Sequence, residues 1–315
     1  MTEHYVTLFD SFFLPQGLAL HASMRRHCGD FALWVLCVDD EVHTVLSQLT
    51  LPCVHLLRLS DWETPELLAV KTGRSRGEYC WTLTPFSVSF VFASAPLAAR
   101  VTYIDADTWF RASPRPIFDE LEAAGRAVLI TDHAYSPECD QTDSSGRFCV
   151  QFVCFEREAG EPVRAWWQDR CLEWCFARHE DGRFGDQKYL DDWPERFAGS
   201  VHVLRNQSLT MGPWNATRFP YSAAVFWHFH GVRLDIRGGR VRRMWGGGYA
   251  LPVPARRNIY APYFIDLKTQ VNSHLIGIGY VAKSQNYPNV IRRKAYLLRG
   301  WIRSFWSLNT ALSWR

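Results

Sequence analysis

Along the first 155 residues, short runs of β-branched and aromatic side chains alternate with segments of helical spacing. Residues 5–9 (Tyr-Val-Thr-Leu-Phe), closed by Asp10, predict a buried strand. Residues 14–28 then place Leu18, Leu20, His21, Met24 and Cys28 at roughly helical intervals, which predicts a helix. A second strand over 31–38 ends in Asp39 and Asp40, a second helix covers 40–49, and a short strand follows at 54–57. The mixed, charged stretch 61–80 reads as loop and short helix, and helical spacing resumes over 84–92. Residues 100–105 form a strand that runs into an acidic turn. Further on come a strand at 128–131, a polar loop at 140–146, a strand at 148–155 and a Trp- and Cys-rich helix at 161–178. Strand and helix alternating at this rhythm imply an α/β fold, with a mixed, mostly parallel sheet flanked by helices.

A chain of 315 residues, 47% apolar and 21% charged, has the composition of a globular protein with one large α/β core. No stretch approaches the ~20 apolar residues needed to span a bilayer. The first residues lack a signal peptide's basic and apolar regions, so the expected location is the cytoplasm. Nine cysteines without paired CxxC spacing argue against zinc and for buried thiols. The +3 net charge is unevenly spread. Residues 246–315 carry ten basic side chains against one acid, Asp266, so the body before them is net acidic. The composition changes at the glycines 246–248, which divides the chain into a main domain, 1–245, where catalytic chemistry would be sought, and a basic C-terminal extension, 246–315. Over 291–312, Leu298, Trp301, Ile302, Phe305, Leu308 and Leu312 form one helical stripe, opposite Arg292, Arg299 and Arg303. That pattern suits a helix lying on an anionic membrane surface; a helix packed on the protein is the competing reading. Nucleic acid is a poor partner, because the excess of basic charge is confined to this tail and no binding module is recognisable.

Three motifs carry chemistry. Asp105-Ala-Asp107 follows the strand Val-Thr-Tyr-Ile, and ligands of open α/β sheets gather at the carboxyl ends of strands. Two carboxylates at i and i+2 can converge on a hard cation such as Mn2+ or Mg2+, which takes the rest of its shell from water and substrate phosphate. The second motif, Phe-Trp-His228-Phe-His230-Gly, offers an imidazole to complete that shell. The third, Phe-Gly-Asp186-Gln187, sets two polar groups after a glycine turn. Taken singly, each has a plainer explanation: a solvated turn, a packed histidine, a helix N-cap.

In this order the motifs resemble those of the GT-A glycosyltransferases, most nearly glycosyltransferase family 8 and its bacterial relatives among polysaccharide and lipopolysaccharide genes. Leu-Phe-Asp-Ser at 8–11, Glu-Tyr-x-Trp-Thr at 78–82 and Phe-Gly-Asp-Gln-Lys-Tyr-Leu-Asp-Asp-Trp at 184–193 extend the resemblance over residues 4–235. The resemblance implies a nucleotide-sugar donor, UDP-linked, with retention of anomeric configuration, and a glycan or lipid-linked acceptor. It implies Asp105, Asp107 and His228 as ligands of Mn2+ or Mg2+, with Ala106 between them against the donor. It places Thr7, Phe9 and Asp10 at the nucleotide base, and Asp186 and Gln187 beside the anomeric carbon. Two departures stand out. Where the family has a diphosphate-binding Lys-Pro-Trp, this chain offers Arg233; where an Asn-x-Gly strand contacts the sugar, it offers Gln151. Lys71, Arg74 and Arg76 are further phosphate candidates because guanidinium forks suit phosphate oxygens, and Trp81 and Thr82 are candidates for the pocket wall. Two rivals are weighed beside this reading. A sugar nucleotidyltransferase would need a glycine-rich N-terminal loop, which Leu8-Phe-Asp-Ser-Phe-Phe-Leu lacks. A non-catalytic glycan- or lipid-binding protein would keep the fold without the chemistry.

Overall fold

The computed structural model describes residues 2–246 and 248–285. In chain order its elements are β1 Glu3–Phe9, α1 Leu14–His27, β2 Phe31–Cys37, α2 Asp40–Leu49, β3 Val54–Arg58, α3 Pro65–Lys71, α4 Arg76–Ser94 and β4 Arg100–Ile104. They continue with β5 Thr108–Phe110, α5 Arg115–Ala124, β6 Val128–Asp132, α6 Thr142–Ser145, β7 Phe148–Glu156, α7 Glu161–Glu173, α8 Trp193–Arg196 and β8 Val201–Val203. Last come β9 Thr210–Met211, β10 Phe226–His228, β11 Arg233–Arg237, β12 Arg240–Trp245, α9 Val253–Ala255 and α10 Ala261–Gln270.

Seven strands form the central sheet in the order β3-β2-β1-β4-β7-β6-β8. Its pairs are parallel except on either side of β7, which runs antiparallel to both β4 and β6. Side chains alternate between the two faces, as the period of a strand requires. Tyr5, Leu33, Val35, Ile104 and Phe152 join the core under α1, α2 and α5. Val6, Leu8, Leu36, Val101, Tyr103 and Val153 join the core under α3, α4 and α7. Burial on both faces explains why these strands read as nearly continuous apolar runs.

Two helices depart from their predicted bounds for identifiable reasons. Helix α4 begins at Arg76, well before the expected residue 84, because Ser75 and Glu78 form a reciprocal capping box. Helix α7 stops at Glu173, short of residue 178. Trp174 turns extended, and Glu78 takes the Ala177 N–H at 2.7 Å, drawing the chain toward the start of α4.

Beyond the central sheet, β10 pairs antiparallel with β5 and parallel with β9. The helical run 253–275 buries Ile259, Tyr263, Leu267, Val271 and Leu275, one every four residues, in the same core as α1 and β10. Tyr263 stacks on Phe229 with centroids 3.6 Å apart, and Asp266 accepts from Arg26 and from the Trp109 indole. The amphipathic segment 291–312 lies outside the described residues. No helix among the described residues is long and apolar enough to cross a membrane.

Candidate active site and metal-binding cluster

The strand β4 ends at Ile104, and the chain turns at once: the Thr108 N–H closes on the Asp105 carbonyl at 3.1 Å. This turn puts both carboxylates on the inner side of the sheet edge. Strand β10 then delivers the imidazole. Its antiparallel register sets His228 opposite Thr108, and the Phe229 N–H bonds the Asp107 carbonyl at 2.9 Å. Nε2 of His228 lies 3.1 Å from Asp107 Oδ1 and 3.7 Å from Asp105 Oδ2. One ligand atom from each of the three residues falls within 4.8 Å of the others.

The electrostatics of this corner are unbalanced. Burial raises the Asp105 carboxyl above its usual range, against the pull of His228. Burial opposes ionisation of Asp107 too, yet the adjoining imidazole holds it below its ordinary value. Burial alone would discharge His228, but Asp107 and Asp105 keep its proton well above the usual range. Among the described residues, no lysine or arginine lies within ion-pair distance of either aspartate. Two carboxylate oxygens and an imidazole nitrogen, clustered without a lysine or arginine, suit a hard divalent cation such as Mn2+ or Mg2+ once the imidazole gives up its proton. The Tyr103 hydroxyl donates to Asp105 Oδ1 at 2.9 Å, and His228 Nδ1 lies 3.1 Å from Gln151 Oε1.

The cluster sits in a cleft of about 940 Å3, within the range of small-molecule sites. One end of the cleft is formed by Phe9, Asp10, Phe12, Phe13 and Arg76. There Arg76 spans two carboxylates, with Nε 3.0 Å from Asp10 and a terminal nitrogen 2.7 Å from Asp39. Asp186 and Gln187 line the same cleft. Gly185 takes the left-handed conformation at φ 55°, and a Cβ there would come within 3.3 Å of the Trp81 ring; glycine is needed for the turn that aims Asp186 inward. Asp186 is buried, and that burial, reinforced by the charge of Asp105, pushes its carboxyl up to about 7. Gln187 donates to the Ser145 carbonyl at 2.6 Å.

No family model matches the chain. Two curated Bacillus subtilis (strain 168) proteins do. YfnD is 32% identical over 288 residues, covering 86% of this chain and 90% of its own. YfnF is 33% identical over 252 residues, covering 74% and 83%. The chain belongs to the family of YfnD and YfnF. Both are described as uncharacterized proteins, so membership names no activity. Among solved structures, the apo form of the glycosyltransferase GlyE of Streptococcus pneumoniae TIGR4 aligns with a TM-score of 0.51 at 15% identity, over 90% of this chain and 66% of that one. That likeness is one of fold, and the fold is of the GT-A type: a mostly parallel sheet with helices on both faces.

In this member of the family, the tertiary structure gathers most of the residues singled out from sequence. Phe9, Asp10, Arg76, Trp81, Asp105, Ala106, Asp107, Asp186, Gln187, His228 and Arg233 all line the one cleft. Five others stand elsewhere. Thr7 is fully buried beneath it, level with Val35 of β2. Gln151 is also fully buried, behind His228 rather than on the cleft wall. Lys71 is held away from the cleft by Glu63, 2.7 Å distant. Arg74 and Thr82 bond each other in the packing between α4 and α7, where Arg74 also donates to the Leu172 carbonyl at 2.7 Å. Sequence reasoning missed a second wall. Tyr135 stacks on His133 at 4.6 Å, and Trp214 donates to the His133 carbonyl at 2.8 Å while its ring meets the edge of His228. It also missed Gln285, which bonds the backbone of Phe12 and Leu234. No periodicity marks these residues, because they lie on irregular connections.

Proposed function

We propose that this protein is a metal-dependent glycosyltransferase that moves a sugar from a UDP-sugar to a bacterial glycan or lipid-linked acceptor, with retention of anomeric configuration. The observation that carries the reading is the convergence of Asp105, Asp107 and His228 inside a cleft of nucleotide-sugar size. In this reading the three side chains hold Mn2+ or Mg2+. When bound, the ion supplies positive charge against the donor diphosphate as the bond to the departing nucleotide weakens. Arg233, at the start of β11 on the cleft wall, adds a fixed charge to the same diphosphate. Phe9 and Asp10 meet the base at the far end, where Arg76 keeps the Asp10 carboxylate in place. Asp186 and Gln187 face the transferred sugar, Asp186 buried beside Thr84 and Gln187 tethered to the Ser145 carbonyl at 2.6 Å. Lys71 has no part in the site, because Glu63 holds it outside.

In the same proposal, residues 1–245 form the catalytic domain and 246–315 the extension, with 253–275 packed behind α1 and β5. An anionic membrane surface as partner rests on 291–312, outside the described residues.

The test is a melting-temperature screen of nucleotides and nucleotide sugars with Mn2+, followed by release of UDP from the donor that stabilises most. Slow UDP release with one UDP-sugar and Mn2+, lost on chelation, is the expected result. If no nucleotide raises the melting temperature and no donor is hydrolysed, a non-catalytic binding protein becomes the better reading.

A further inference from the structure

Gln151 occupies a position that packing alone does not explain. It lies in the middle of β7 and is fully buried, where an apolar side chain of similar length would fill the same space. Its amide is half satisfied. Oε1 lies 3.1 Å from His228 Nδ1, while among the described residues Nε2 has no hydrogen-bond partner. A buried donor left unpaired is costly, so the carbonyl half must be worth keeping. The backbone of the same residue takes part as well. The β4–β7 register pairs Ile104 with Phe152, and this sets Asp105 against Gln151, whose carbonyl accepts the Asp105 N–H at 3.3 Å.

A neutral imidazole carries one proton on either ring nitrogen, and only the bare nitrogen can ligate a metal. Nε2 of His228 faces Asp105 and Asp107; Nδ1 faces an oxygen that can only accept. When a metal ion displaces the proton on Nε2, the remaining proton therefore belongs on Nδ1, and the Nε2 lone pair is free for the ion beside the aspartates. We propose that Gln151 is the positioning residue of the metal site: its side-chain carbonyl fixes the tautomer and ring orientation of His228, and its backbone carbonyl seats Asp105. This goes beyond the sugar contact expected of residue 151 from sequence, and it rests on the metal-binding reading given above.

The experiment measures Mn2+ affinity directly, from the electron paramagnetic resonance of free Mn2+, on the full chain in the presence of UDP. Gln151→Leu keeps the volume and removes the acceptor; Gln151→Glu restores an acceptor. Loss of such outer partners typically weakens metal binding about 10- to 100-fold. That loss is expected for Gln151→Leu, with Gln151→Glu binding at least as tightly as the wild type. Unchanged affinity in Gln151→Leu, or an equal loss in both variants, overturns the proposal. Asp107→Asn separates this from the premise. If the wild type binds Mn2+ and Asp107→Asn does not, the metal site stands and the Gln151 variants decide the inference alone. If the wild type binds no better than Asp107→Asn, the metal reading falls and the inference with it. Should Gln151→Leu fail to fold, 15N spectra of histidine-labelled wild type loaded with Mg2+ and UDP read the tautomer: a proton on Nδ1 of His228 upholds the proposal, and one on Nε2 ends it.

Discussion

Two pairs of aspartates stand at the same edge of the central sheet, and they differ in what neutralises them. Asp10 and Asp39, at the ends of β1 and β2, share one arginine, Arg76, and Asp39 also accepts from the N–H of Val42 and from Ser11. Among the described residues, Asp105 and Asp107, just past β4, have no lysine or arginine within ion-pair distance; their cationic neighbour is the His228 imidazole. Side by side, the corners teach that a pair of carboxylates at a strand end is not by itself a cation site. The first corner carries its own counter-ion and is structurally complete. The second is held by an imidazole, whose proton, unlike the arginine's charge, can be given up to make room for a metal ion.

The comparison breaks most visibly if the two corners respond alike to removal of one charge. Asp107→Asn should abolish measurable Mn2+ binding and lower UDP release by at least about a hundredfold, while Asp10→Asn leaves Mn2+ affinity within about threefold. Equal Mn2+ affinities in the two variants, by titration, would erase the distinction.

Asp186 sharpens it, since among the described residues this buried carboxylate has no ion-pair partner. Its carboxyl titrates near 7 in the folded protein against an ordinary 3.8. The folded state therefore holds the proton more tightly than the unfolded one, and stability falls as pH rises from about 4 through 7. Asp186→Asn removes that dependence. In metal-free buffer the variant should gain stability over the wild type by more at pH 8 than at pH 5, up to about 4 kcal/mol, while sugar transfer drops. Urea unfolding at the two pH values checks the sign, and a gain that shrinks at high pH would contradict it.

Arg76→Ala leaves Asp10 and Asp39 facing each other without their cation. Because Arg76 is half exposed, the cost to stability should be small, on the order of 1 kcal/mol or less. The effect should appear as about tenfold weaker binding of UDP with Mn2+ affinity unchanged, read by calorimetry. The smallest effect belongs to Lys71→Ala, which should shift neither UDP affinity nor turnover by more than about twofold, since the half-exposed Lys71 and its partner Glu63 lie off the cleft.

Much of the sheet was legible in the sequence because its strands are buried on both faces and bounded by Asp10, Asp39 and Asp105. The D-x-D turn could be read for the same reason: a strand that ends in acids announces a sheet edge. The start of α4 was equally legible in principle, since Ser75 and Glu78 spell a capping box. The short strands β5, β9 and β10 were not, because two or three residues carry no period, and their pairing is set by neighbours distant in the chain. Gln151 shows the limit most clearly. Its residue type suggested a contact with the donor, yet its place on β7 turns it behind His228.

By itself the sequence determined the alternation of elements, the two-faced burial of the sheet and the chemical types available at its edge. Hydrophobic periodicity and turn residues act locally, and those features need nothing more. The tertiary structure decided which of the candidate charges share a site. The register of β10 on β5 brought His228 to Asp107, the pairing of β4 with β7 set Gln151 behind them, and Glu63 drew Lys71 away. Coordination and charge balance depend on distances of a few ångströms between residues far apart in sequence, and only the folded chain sets those distances.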